Sequence, residues 1–146
     1  MALRLWINHP RHLGSVHDLI HDWMFDSEEI RLDPESSTLS IPFQRGDEER
    51  EEVIPGLWGR RRKRPSMVQS YLRIHQAEDY SIRDTEHIRF YDFNILEYHA
   101  ETRSLRILTG IPIEIQVKAK GFEISVEVTD QIVEDYKTLV SKVKEA

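Results

Sequence analysis

The chain of 146 residues carries a formal net charge of −6, 39% hydrophobic and 32% charged residues, and no cysteine. This composition suits a single folded domain over residues 1–146 rather than a disordered chain, and it excludes a disulfide framework or cysteine-ligated zinc. The acidic balance argues against a polyanion-binding surface spread over the whole molecule.

Residues 2–8 are expected to form a short strand, because Leu3, Leu5 and Ile7 alternate with Arg4 and Trp6 before Asn8-His9-Pro10 breaks the run. Arg4 and Asn8 also leave this segment without a secretory apolar core, and no later run approaches the ~18 apolar residues of a membrane span. The expectation is a cytoplasmic protein with no membrane partner. Ser15 offers an N-cap with Asp18 three residues on, and Val16, Leu19, Ile20 and Trp23 fall at helical spacing, predicting an amphipathic helix over 16–25.

A strand–turn–strand unit then occurs twice, 66 residues apart. Phe25-Asp26 precedes Ile30-x-Leu32, a polar turn and Leu39-x-Ile41; Tyr91-Asp92 precedes Leu96-x-Tyr98, a polar turn and Leu105-x-Ile107. Alternation on both arms predicts Leu32 opposite Leu39, Ile30 opposite Ile41, Tyr98 opposite Leu105 and Leu96 opposite Ile107. Pro34 suits the second position of a type I turn behind Asp33. Asp26 and Asp92, the repeated acids, are expected to bond local backbone amides rather than form a catalytic pair.

Between 45 and 66 the character changes, and a long charged loop is expected. The run from Asp47 to Glu52 holds five acids and Arg50, net −4; Arg60, Arg61, Arg62, Lys63 and Arg64 give +5. One arm therefore has enough charge to neutralise the other. Trp58 stands between them, either folded back on the body or presented to a partner.

Strands follow at 67–75, 80–83 and 87–93. A further hairpin is expected where Ile111, Ile113, Ile115 and Val117 alternate with polar residues, as do Phe122, Ile124, Val126 and Val128. A two-residue turn at Lys120-Gly121 would set Val117 against Ile124. A second amphipathic helix is expected from Thr129 or Asp130 onward, carrying Ile132, Val133, Tyr136, Leu139, Val140 and Val143. The fold class is α+β and mainly antiparallel β: a sheet, sandwich or open barrel of hairpins with an amphipathic helix near each end.

No phosphate-binding glycine loop, nucleophile elbow or catalytic cysteine occurs, and no cofactor is implied. The residues point first to a non-catalytic protein–protein interaction or accessory module, with another protein or a second copy as partner. A second reading places nucleic acid or phosphate on Arg60, Arg61, Arg62, Lys63 and Arg64, with Trp58 to stack on a base. A third is a metal-dependent enzyme: His17 and His21, four apart on the predicted first helix, share a face and could bind one divalent ion.

Overall fold

The computed structural model describes residues 2–110 and 113–139. The elements in chain order are β1 (Leu3–Ile7), α1 (Leu13–Ile20), β2 (Met24–Asp26), β3 (Arg31–Asp33), β4 (Thr38–Pro55), β5 (Arg61–Ile74), β6 (Ala77–Asp84), β7 (Phe90–His99), β8 (Ser104–Thr109), β9 (Ile113–Ala119) and β10 (Ile124–Ile132). They form one antiparallel sheet in the order β1-β10-β5-β4-β2-β7-β8-β9-β6, with β3 beside β4. The sheet is not closed. Its two halves nevertheless share one core, in which Leu72, Ile74, Ile124 and Val126 from one half join Leu105, Ile107, Ile115 and Val117 from the other.

Three of the four pairs that alternation predicts form, while Ile30, expected opposite Ile41, precedes β3. Leu32 faces Leu39 in the first, and Tyr98 and Leu96 face Leu105 and Ile107 in the second. Asp33 anchors the first turn by accepting from the Glu35 amide at 3.0 Å and the Ser36 hydroxyl at 2.9 Å. The copies differ upstream, where a 3-10 turn at Ser27–Glu29 separates β2 from β3 while β7 runs unbroken.

The hairpin expected about Lys120-Gly121 does not form. β9 lies between β8 and β6, and β10 lies between β1 and β5. Val117 faces Tyr80 and Leu105, whereas Ile124 faces Ile7 and Ile74. The reason is a shared corner. The chain passes from β5 to β6 through His75 and Gln76 and returns from β9 to β10 beside it. The Lys120 amide donates to the Gln76 carbonyl and the His75 amide to the Glu123 carbonyl, both at 2.9 Å. One antiparallel pair thus bends from one half of the sheet into the other, as in orthogonal sheet packing. Alternation reports which face of a strand is buried, and it is blind to whether a glycine between two such strands reverses the chain or bends it.

The helical segments start and stop elsewhere than expected among the described residues. Pro10–His12 makes a 3-10 turn whose entry His9 stabilises by accepting from the Arg11 amide at 3.1 Å, so α1 starts at Leu13 and Ser15 lies inside it. The chain leaves the helix after Ile20, and Trp23 and Phe25 follow in or beside β2. At the other end β10 continues through Ile132, with helical residues among those described only at 136–139. Val140 and Val143 of the predicted stripe lie outside the described residues. Among the described residues two amphipathic helices are therefore not found; α1 has eight residues and buries Val16 and Ile20 against the core.

Candidate functional site

Within the body, β4 has β3 and β2 on one side and β5 on the other. Among the described residues, beyond Gln44 on β4 and before Met67 on β5 these two strands have only each other as backbone partners. The segment expected to be a charged loop over 45–66 is thus mostly a two-stranded arm, and the strands extend to Pro55 and Arg61. A bulge of Glu48, Glu49 and Arg50 sits at its root, between the pairs Asp47–Ser66 and Glu51–Pro65. Pro65 lacks the N–H that would continue the ladder, so a bulge here wastes no donor. Asp47 accepts from the Glu49 amide at 3.1 Å, and Arg50 donates to the Asp130 carbonyl at 2.9 Å, tying the root to the end of β10.

Register decides what the charges do. Glu52 faces Arg64 and accepts from its Nε at 2.5 Å; Arg64 Nη1 lies 3.5 Å from Asp135. Opposite Lys63, Arg62 and Arg61 stand Val53, Ile54 and Pro55, which are uncharged. The acidic and basic runs therefore neutralise one another at a single cross-strand pair. Arg60, Arg61, Arg62 and Lys63 are exposed.

The tip is a tight turn. The Gly56 amide donates to the Arg60 carbonyl at 2.5 Å, and a Cβ at Gly56 would stand 2.4 Å from that same oxygen. Only glycine fits there. Trp58 follows at φ 62°, ψ 31°, in the left-handed region, which costs a residue with a side chain about 1–2 kcal/mol. It is 96% exposed, so it does not fold back on the body; Val53, paired with Lys63 on the same arm, is 56% exposed. Where the arm meets the body, a groove of about 460 Å³ has Trp23, Met24, Ile54 and Met67 as its apolar lining and Arg62 and Lys63 among its cations.

His17 and His21 are neighbours on α1, with rings 4.8 Å apart. His17 Nε2 lies 2.8 Å from the Asn94 carbonyl and His21 Nε2 3.3 Å from Asn94 Oδ1. A carbonyl oxygen can only accept, so His17 keeps its proton on Nε2 and offers no lone pair there. Among the described residues no group of three His, Cys, Asp or Glu side chains gathers to hold an ion.

Asp26 and Asp92 both serve backbone amides. Asp26 accepts from Glu28 N at 2.9 Å and Asp92 from Gly110 N at 3.3 Å. Asp26 also takes Arg89 Nε at 3.1 Å and Nη2 at 2.9 Å, a pairing that periodicity could not reveal. Equally silent in the sequence is Gln44. Its buried amide donates to the Glu134 carbonyl at 2.7 Å and accepts from Tyr136 N at 2.9 Å, fastening the C-terminal segment beside the arm. Among the described residues no helix is long and apolar enough to cross a membrane. No protein-family model, curated protein or solved structure matches the chain.

Proposed function

We propose that the chain is a non-catalytic binding module whose contact element is the β4–β5 arm and whose partner is a protein. The observation that carries this reading is Trp58, a large apolar ring 96% exposed at the end of a projecting arm and held in left-handed backbone. Such a residue adds nothing to the core and costs strain to keep. Tryptophan and arginine together are the side chains that most often dominate protein contacts. The absence of cysteine fits action in the reducing cytoplasm.

Affinity capture tests the reading with three forms: the unaltered chain, Trp58→Gly, and a chain in which residues 48–65 are replaced by Asn-Gly between the paired Asp47 and Ser66. A protein partner held by the first and lost by both others is the expected outcome. Equal retention by the shortened arm rejects the arm as the contact element.

A second reading, nucleic-acid binding, is favoured by the cations that the register leaves facing apolar residues. A two-stranded ribbon is narrow enough to enter a major groove. Four phosphate contacts would give a log–log salt slope of about −3 to −4. Absence of retention on DNA and RNA at low salt rejects it.

A further inference from the structure

We propose that the protein partner of the arm is the arm of a second copy of this chain. The two lie antiparallel about a two-fold axis, each basic tip against the other's acidic root. This deepens the reading of the arm as a protein-binding element and rests on it.

The argument starts from the order of charge along the arm. Glu48 and Glu51 are exposed at the root, where the cation Arg50 is engaged by Asp47 and Asp130; Arg60, Arg61, Arg62 and Lys63 are exposed at the tip, and between them Glu52 and Arg64 pair with each other. The sign of the exposed charge therefore reverses about the Glu52–Arg64 pair. A two-fold axis beside that pair superimposes negative on positive twice, which is the self-complementarity an isologous contact requires. A parallel alignment would stack tip on tip and is repulsive.

The same ordering picks the side of contact. Packing β5 against its own copy about the same axis would set Arg64 on its twin, which is destabilising, and Arg61, Arg62 and Lys63 opposite Met67, Ser66 and Pro65, none of which is acidic. The β4 side carries the root carboxylates, and among the described residues no strand pairs with its outer edge beyond the body. Val53, 56% exposed and adjacent to Glu52, then meets its own copy near the axis. A polyanion fits less well. The chain's −6 includes +5 from residues 60–64, leaving −11 on the remainder. The paired tip, five residues from 51 to 55, is only about 17 Å long, so phosphates held there would lie close to Glu48 and Glu51.

Light scattering and sedimentation on the full chain test the proposal. The expected result is twice the monomer mass at low salt, shifting toward monomer near 1 M salt, where screening acts over about 3 Å. Arg61→Glu with Lys63→Glu should weaken dimerisation by about tenfold or more, as should Glu48→Lys with Glu51→Lys, because symmetry counts each reversal twice. An equimolar mixture of the two double variants should recover the dimer, since the substituted positions of each tip then again carry the sign opposite to positions 48 and 51 of the root they meet. All four substitutions in one chain should do the same. Circular dichroism spectra and cooperative melts, compared at a salt concentration where the unaltered chain is also monomeric, show that the variants fold.

A monomer at every salt concentration overturns the proposal, as does a mixture that stays monomeric, or retention of the unaltered monomer on DNA or RNA. The broader reading fails separately: a monomeric chain that still captures a different protein through Trp58 removes only the second copy as partner.

Discussion

Phe25 and Tyr91 are 66 positions apart in the chain and directly opposite one another in the sheet, with ring centroids 6.1 Å apart. They occupy the same place in the two copies of the repeat, so the copies meet through equivalent residues across an antiparallel pair. The repeat thus builds the middle of the sheet, where β2 joins β7, rather than two separate units.

Phe25 has no exposed surface and also stacks on Phe93 at 4.5 Å. Phe25→Ala should cost about 3–5 kcal/mol, the range for a buried aromatic. Tyr91→Phe should cost about 1–3 kcal/mol, because the hydroxyl donates to Asp84 Oδ1 at 2.6 Å and accepts from Ile88 N at 2.9 Å. Urea unfolding monitored by circular dichroism measures both. A loss below 1 kcal/mol for Phe25→Ala would mean that this junction is not packed as described.

Stability should fall on both sides of neutral pH. Burial pushes the His75 pKa below its ordinary 6.5, with nearby Glu123 opposing and Arg73 reinforcing the shift. A folded-state pKa below the unfolded one means that stability is complete above pH 6.5 and is lost as pH falls through the folded value. The same sign holds for Glu114, lowered by its hydrogen bond from Arg106, and for Glu127, lowered by hydrogen bonds from Arg73 and Arg4. Their contribution is complete above pH 4.5 and is lost below it. Tyr91 and Tyr136 are raised above 10.0, chiefly by burial, so their contribution is present below that pH and is lost as pH rises through the raised values. Urea midpoints across pH check the profile, and His75→Gln should flatten the segment just below pH 6.5.

Arg89→Met should lower the melting temperature, because it leaves the buried Asp26 carboxylate holding only the Glu28 amide. Adding Asp26→Asn removes the stranded charge while an amide oxygen remains to accept from Glu28, so the double variant should melt above Arg89→Met alone. A double variant that melts lower would show that Asp26 is stabilised by something other than Arg89.

Much of the sheet is legible from residue order because short hairpins obey local rules. Leu32–Leu39 and Tyr98–Leu105 follow from alternation and a polar turn, and neither needs information from elsewhere in the chain. The corner at His75-Gln76 is different. Whether Lys120-Gly121 reverses the chain depends on β5 and β6 lying alongside, some 45 residues earlier in the sequence. The arm does not read as strand because charge runs and Pro55 resemble loop composition, while its pairing is set by the body hairpin from which it extends. The Trp58 and Arg60 to Lys63 cluster was visible as residue types. What the sequence could not supply was the register that sets those cations against Val53, Ile54 and Pro55.

Trp58→Gly and Gly56→Ala, two residues apart in one turn, should act in contrasting ways. Glycine at 58 takes the left-handed conformation without steric cost, so the substitution relieves strain while deleting the exposed ring. In salt that keeps the chain monomeric the unfolding midpoint should stay unchanged or rise slightly, and at low salt self-association should weaken. Alanine at 56 would push a Cβ against the Arg60 carbonyl and break the turn that orders the tip. Because the arm pairs only with itself beyond the body, that damage should remain local: the core's urea transition persists while the tip amides lose hydrogen-exchange protection. A Trp58→Gly chain destabilised by more than about 1 kcal/mol would instead mean that the ring packs against the fold, and Trp58 would no longer qualify as a contact residue held ready for a partner.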